Sequence, residues 1–496
     1  MKNLNYITIG LALLGLIDSY YIYNQPIARK GLEFLFLIPL IFTVCVTIYG
    51  NTILRYHKHG IGLKIYYSIV LVRYIIQPFL IMLSEGKLNF RMPEAKADSY
   101  DVAIFIYAIE LFIACAVIKK WFPIYIKKYQ KKDIAHRQLP LNSYGKWVLI
   151  IYFLFLLVRI NSWMPGLNIL ALKESVSKVA VVFDATIFNS IKIFIFILLL
   201  VEAKKYTRKN KASFQFYFTL GVVAAIFNFI SYFGSNRSLI YETAIATITI
   251  LIVSYPQLKT KILAVLLPFA IVIMVLSYVN KQFAEDNAGT LETGDSSVVA
   301  SNIVEEYANG LWTVARSYQA SVGISSVKSN EALIKDFSDG LSGLSDLPGF
   351  KTLSNSLTEL RSSSDVFKDS LKQRDDRGQM LSLSGGFLII GGNLLGWPIL
   401  ILGNYVMIML LVRMEAASKV IQDLYYKYMY IWMSILMGLI HCYCLQTIVF
   451  CWSKYILFYW LVLWVNRMGV SKQKVSKRSE ARAEHLNYKW TTNSIV

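Results

Sequence analysis

Three stretches of this sequence, and a scattered set of charges, have the residue types and spacing to handle a charged or polar ligand. Gly234-Ser235-Asn236-Arg237-Ser238 joins two apolar blocks with almost no loop between them. A helix starting there presents free backbone N–H groups and the positive end of its dipole, and Arg237 adds a guanidinium, which together make a site for an anion such as phosphate. A capped helix start with a snorkelling arginine accounts for the same residues. The second stretch runs from Ser297 to Ser321. There Val299, Ile303, Tyr307, Leu311, Val314 and Tyr318 are spaced as one apolar helix stripe, and Glu305, Asn309, Trp312 and Arg316 share the opposite face. A carboxylate, an amide, an aromatic ring and a cation together suit a sugar, which stacks on the ring while its hydroxyls take hydrogen bonds; a solvated face of mixed i,i+4 pairs is the plainer reading. The third stretch is Gln373-Arg374-Asp375-Asp376-Arg377-Gly378-Gln379, with two arginines to clamp a phosphate and two aspartates to supply a base, or else an interfacial anchor. The scattered set is Arg73, Glu110, Arg159, Lys192, Arg237, Glu242 and Lys454, which fall inside apolar blocks where charge is costly and usually faces a cavity or a partner. Arg73 lies near the middle of its block, where snorkelling is hard, and Glu110 is the natural partner for one of the arginines. Arg159 lies near the end of its block, and Lys454 reads as structural.

The elements that must carry these residues follow from composition. Of 496 residues 55% are hydrophobic and only 17% are charged, against ~25% charged in an average soluble domain. Mean hydropathy is +0.47. This excludes disorder, collagen and an ordinary cytosolic enzyme. The apolar residues come in blocks, and a helix needs about 20 residues to cross a bilayer core. Twelve spans are expected: 6–23, 34–54, 63–83, 102–118, 147–163, 182–201, 214–233, 236–255, 262–279, 383–412, 429–447 and 449–465. The fold class is an all-α polytopic membrane protein with a helical extracytoplasmic segment between spans nine and ten. Its organisation is 1–280 (spans one to nine), 281–382 (extracytoplasmic helical segment), 383–466 (spans ten to twelve) and 467–496 (basic cytoplasmic tail). The first block follows Lys2 and has no small-residue cleavage site after it, so it reads as a retained span.

Charge sets the expected orientation. The formal net charge is +20, and its location argues against nucleic acid, because the cations sit between apolar blocks. With the N-terminus cytoplasmic, the cytoplasmic segments hold 29 Lys/Arg and the short outer loops hold 7. Both ends are therefore expected inside, and 281–382 outside. That segment carries 10 Lys/Arg and 15 Asp/Glu, the reverse of the remaining chain, and loops of such length are usually functional. Amphipathic pieces around 333–347 and 350–360 are expected to lie on the membrane surface or pack as a lid. In span ten, Gly385-Gly386, Gly391-Gly392, Gly396 and Pro398 suggest a break or re-entrant start facing a cavity, or a small-residue packing face. The basic tail reads as a solvated end touching anionic lipid.

Several chemistries have no foothold. There is no Walker A, HExxH or GxSxG motif, and no cytoplasmic loop is large enough for a nucleotide-sugar domain. All five cysteines (Cys45, Cys115, Cys442, Cys444, Cys451) fall in apolar blocks, without disulfide or zinc spacing. His57, His59, His136 and His485 are placed on the cytoplasmic side, and only His441 is placed to reach the outer face. Neither metal nor cofactor is expected.

Twelve spans, a GSxR-like turn opening a mid-chain span and a long outer segment before a Gly-rich span resemble the bacterial oligosaccharide repeat unit polymerases, the Wzy-type polymerases of capsule, O-antigen and exopolysaccharide. The likeness covers roughly Gly234 to Val412. It includes Tyr307 to Ala315 (YANGLWTVA), similar to Gram-positive-type members, the Asp-Gly-Leu-Ser-Gly stretch from Asp339, and Gln379 to Gly392. The first 200 residues match only in hydropathy, and Asn236 is inserted where the family often shows a plain GSR turn. The resemblance implies a multi-pass plasma-membrane glycosyltransferase that needs neither ATP nor metal. Its donor and acceptor would both be oligosaccharides on undecaprenyl pyrophosphate, and its pathway partners a chain-length regulator and a flippase. On this reading Arg237 and Arg316 hold pyrophosphate, with Arg374, Arg377 and Gln379 assisting and Arg159 and Arg73 in a second tier. Trp312 and Asn309 bind sugar, and Glu305, Glu306, Asp375 or Asp376 supplies a base, Asp376 being preferred. The rivals are an O-antigen-ligase-like glycan transferase, which uses a different acceptor, a lipid-linked oligosaccharide flippase or transporter, and a receptor.

Overall fold

Long apolar runs fold as helices because, without water, each backbone N–H and C=O must be satisfied within its own segment. The computed structural model describes residues 2–25, 27, 29–57, 60–87, 94–132, 138–169, 182–206, 211–233, 238–285, 296–344, 349, 350, 352, 356–371 and 381–468. The first helices are α1 (Lys2–Asn24), α2 (Leu37–His57), α3 (Ile61–Leu71), α4 (Gln77–Leu83), α5 (Ala97–Gln130) and α6 (Ser143–Val158). Then come α7 (Ile160–Trp163), α8 (Val182–Tyr206), α9 (Lys211–Ile230), α10 (Ser238–Ser254) and α11 (Lys259–Glu285). The segment expected outside contributes α12 (Ser296–Ala308), α13 (Leu311–Ser321), α14 (Ser326–Gly340) and α15 (Ser363–Ser370). The chain closes with α16 (Leu383–Val420), α17 (Leu424–Gly438) and α18 (Leu445–Cys451). Apart from an antiparallel ribbon of β1 (Leu167–Ile169) on β2 (Ser231–Phe233), the described regular structure is helical.

Among the described residues, eight helical stretches are long and apolar enough to cross a membrane: 6–24, 61–83, 97–130, 182–206, 211–230, 256–273, 395–420 and 445–468. A ninth is added if α6 and the segment after it, bent by 71° at Arg159, count as one span. This is the make-up of a polytopic membrane protein. The remaining expected spans, two, eight and eleven, coincide with shorter helices: 37–50, 240–254 and α17.

Two of the long stretches contain a π turn. Val72–Ile76 joins α3 to α4, and Trp452–Ile456 continues α18. The first lies just upstream of Pro78, which has no N–H to give to the previous turn. Each wide turn buries three consecutive residues, Arg73-Tyr74-Ile75 and Ser453-Lys454-Tyr455, and so seats one cation in the interior.

Span ten breaks where its glycines allow. Gly392 adopts φ 56°, ψ −157°, which L side chains rarely adopt, and α16 divides there into Leu383–Gly392 and Leu395–Val420. The short arm folds back on the long one. Gly391 lies against Gly396, Gly403 leaves room for the Phe387 ring, and Asn404 donates to Ser384 Oγ at 3.0 Å. The glycines therefore serve as break and as packing face together.

The stretch 297–321 differs from the single helix expected. Asn309 has φ 45° and Gly310 ends the turn, so α12 and α13 form a helix–turn–helix. A Cβ at Gly310 would lie 1.6 Å from Gln77 Nε2 and 2.4 Å from Glu305 Oε2, so only glycine fits against the carboxamide. In α12 the polarity is also inverted: Val299, Ile303 and Tyr307 are exposed, while Glu305 and, at the turn, Asn309 are buried, because the inner side of α12 packs on α4. In α13, packed between α5 and α16, both faces are buried, Leu311 and Val314 as well as Trp312 and Arg316.

Candidate functional site

At the centre of the fold, the π turn aims Arg73 at Glu110 of α5. Nη1 donates to Glu110 Oε2 at 2.8 Å, and neither side chain reaches solvent. The guanidinium also lies over the Tyr107 ring, 4.3 Å from its centroid. Ser384, at the start of the short arm of α16, donates to Glu110 Oε1. His441, in the turn between α17 and α18, places Nδ1 3.6 Å from Glu110 Oε2 and Nε2 3.3 Å from the Tyr66 hydroxyl. Arg73 and Glu110 are thus a neutralised pair deep among the helices, where an isolated charge would cost several kcal/mol.

The α12–α13 turn rests on this core. Glu305 Oε2 accepts from Gln77 Nε2 at 2.6 Å, and Gln77 Oε1 in turn accepts from the Tyr107 hydroxyl at 3.2 Å. Glu305 Oε1 accepts from the Thr313 N–H at 2.7 Å. Because Gly310, the residue before α13, has no side chain to cap it, Glu305 satisfies the free N–H groups of α13 from outside, a favourable place for a carboxylate. Asn309 Nδ2 donates to the His441 carbonyl at 3.1 Å, which fixes the tip to the turn that carries the histidine.

Above this core two arginines converge on Glu94. Arg316 of α13 donates through Nη1 to Gln319 Oε1 at 2.9 Å and to the Glu94 carbonyl at 3.4 Å, and through Nη2 to the Ser370 carbonyl at 2.9 Å. Its Nε has no hydrogen-bond partner, and among the described residues no carboxylate pairs with it. Burial holds this guanidinium below its usual range. Arg29, from the loop after α1, pairs with the Glu94 side chain at 3.0 Å and donates to the Gly86 carbonyl at 2.7 Å. The Glu94 carboxylate is taken by Arg29 while Arg316 reaches only the Glu94 backbone carbonyl, so the guanidinium of Arg316 has no carboxylate against it among the described residues and this rim carries surplus positive charge.

The structure thus brings together Arg73, Glu305 and Asn309, with Arg316 on the adjoining helix. Trp312 is 1% exposed on α13, which packs between α5 and α16, and Arg73, Glu305 and Asn309 are likewise buried. Both oxygens of Glu305 are engaged, by Gln77 and by the Thr313 N–H, which holds the start of α13. Arg159 stands apart at the α6–α7 bend, paired at 3.0 Å with buried Asp184, which also accepts from Ser162. Arg237, Arg374, Asp375, Asp376, Arg377 and Gln379 lie outside the described residues, as does the side chain of Glu306. Arg316 is nevertheless tied to Ser370, four residues before Arg374.

Sequence reasoning passed over Arg29, Glu94, Gln77 and Ser384. Gln77 carried a usable signal, an amide beside Pro78 four residues from Arg73 in an apolar block. Ser384 carried none, since a serine inside a span is ordinary. Among the described residues no group of three or more His, Cys, Asp or Glu is placed to hold a metal. Compared with known proteins, the chain matches no family model, no curated protein and no solved structure.

Proposed function

We propose that this protein is a polysaccharide polymerase of the bacterial plasma membrane, acting on oligosaccharide repeat units carried by undecaprenyl pyrophosphate. The chain crosses the membrane about twelve times with both termini in the cytoplasm, and 281–382 belongs to the outer side, where flipped repeat units are presented. The observation that carries this reading is the rim of Arg316 and Arg29 around Glu94, a cationic place for a diphosphate directly above a rigid polar core.

In this reading the diphosphate of the donor sits against Arg316, and Arg237, Arg374 and Arg377, which lie outside the described residues, are the further cations proposed from the sequence. A hydroxyl of the acceptor's non-reducing sugar attacks the anomeric carbon of the donor chain. The anomeric C–O bond to phosphate breaks, its electron pair leaves with undecaprenyl pyrophosphate, and the hydroxyl proton passes to Asp376. The guanidiniums stabilise charge that grows on the leaving oxygen, and such donors typically contribute ~10²–10³ in rate. Arg73, Glu110, Gln77 and Glu305 hold α13, and with it Arg316, in place.

The test is reconstitution. Purified protein in lipid, given only undecaprenyl-pyrophosphate-linked repeat units, is expected to yield a ladder of lipid-linked polymers. Transfer of one preformed chain to a different acceptor, without a ladder, would instead identify a ligase. Movement of the lipid-linked unit across vesicles without any new glycosidic bond would identify a flippase.

A further inference from the structure

The hairpin of α12 and α13 has a depth that its neighbours fix. At the start of α12, Ser297 Oγ lies 3.5 Å from the carbonyl of Leu83, the last residue of α4. Eight residues on, Glu305 meets Gln77, six residues back along α4 and therefore about 9 Å further along that helix. At the tip, Asn309 holds the His441 carbonyl beside the Arg73–Glu110 pair. On the way back, Gln319 of α13 accepts from the Lys96 N–H at 3.3 Å, immediately before α5 begins at Ala97. The hairpin starts where one candidate membrane span ends, descends to its buried ion pair, and returns to where the next begins.

Its outer face matches that placement. Val299 is 36%, Ile303 46% and Tyr307 53% exposed, at steps of four along one side of α12, whereas Ser301, Glu305 and Asn309 on the inner side are buried. On neighbouring α4 and the π turn, Ile76, Phe79 and Leu83 are likewise exposed. A helix with its apolar side out and its polar side in is inverted for water and correct for hydrocarbon. The turn also meets the condition for non-helical backbone at such depth, because it is enclosed by protein and its groups are bonded: Gly310 N–H to the Glu305 carbonyl, Thr313 N–H to the Glu305 carboxylate.

We infer that α12–α13 is a re-entrant hairpin embedded in the bilayer, and that the Val299–Ile303 side of α12 is a lipid-facing surface in contact with acyl chains, continuous with the exposed apolar side of α4. The segment expected to be an extramembrane domain then supplies part of the membrane core. This placement does not depend on the reaction proposed above.

Single cysteines at Ile303, Phe79 and Glu94, in full-length protein whose five native cysteines are replaced, would be spin-labelled and reconstituted into phosphatidylcholine vesicles. The Ile303→Cys label is expected to collide with oxygen more often than with a water-soluble nickel chelate, like Phe79→Cys and opposite to Glu94→Cys. Val299→Cys gives an independent reading one turn nearer the surface if Ile303→Cys does not insert. Nickel access at Ile303 equal to that at Glu94 would overturn the inference. So would a label closed to both reagents and dipolar-broadened by its neighbour, because a second copy of the chain would then cover the stripe.

Discussion

Two buried polar clusters, each containing a cation seated by a π turn, are built on opposite plans. Around Arg73 the cation and carboxylate meet directly, and Ser384, His441, Tyr66 and Tyr107 close around the pair. Around Lys192 of α8, near Lys454, the charges are held by neutral groups. Lys192 Nζ donates to the carbonyls of Asn228 and Ser231 at 2.9 and 2.6 Å, and Glu242 accepts from the Tyr443 hydroxyl at 2.7 Å. A single turn serves both clusters, since His441 reaches one and Tyr443 the other. The lesson concerns what each cluster tolerates. A matched ion pair fails when one half is removed, because the other half is left buried and charged, whereas removing a cation held by backbone carbonyls leaves only neutral acceptors unsatisfied, a smaller cost.

The largest expected effect follows from unpairing the first cluster. Glu110→Leu leaves Arg73 buried and uncompensated, and should cost about 3–5 kcal/mol in detergent unfolding. Adding Arg73→Met to Glu110→Leu should recover most of that loss; a double variant no more stable than the single one would contradict the pairing. Next in size is Gly310→Ala. Its Cβ would overlap the Gln77 amide, so the hairpin tip must shift, and an overpacking cost of about 1–3 kcal/mol is expected.

A smaller effect than that of Glu110→Leu is expected in the second cluster. Lys192→Met leaves the Asn228 and Ser231 carbonyls without their donor and should cost about 1–3 kcal/mol. A loss as large as that from Glu110→Leu would erase the contrast between the clusters.

How far the sequence revealed this molecule depended on the range of the interaction. The apolar blocks announced their helices because hydropathy is a local property, and the glycines of span ten announced a break that Gly392 makes. Glu110 was recognisable as a partner for a buried arginine because a lone charge there is so costly. The α12–α13 stretch was misread as one helix with an outward polar face. Its periodicity is real, but the stop at Asn309-Gly310 is set against Gln77, more than 200 residues away, the inward face of α12 was decided by α4, and α5 and α16 bury both faces of α13. The Arg29–Glu94–Arg316 rim was illegible for the same reason: three separated segments meet only after folding.

Activity of Arg316→Ala in reconstituted membranes tests the central claim most directly. Provided the variant inserts and keeps the gel-filtration profile of the wild type, chain extension on undecaprenyl-pyrophosphate-linked repeat units should fall by ~10²–10³. Full-length polymer at the wild-type rate would show that this guanidinium does not hold the diphosphate.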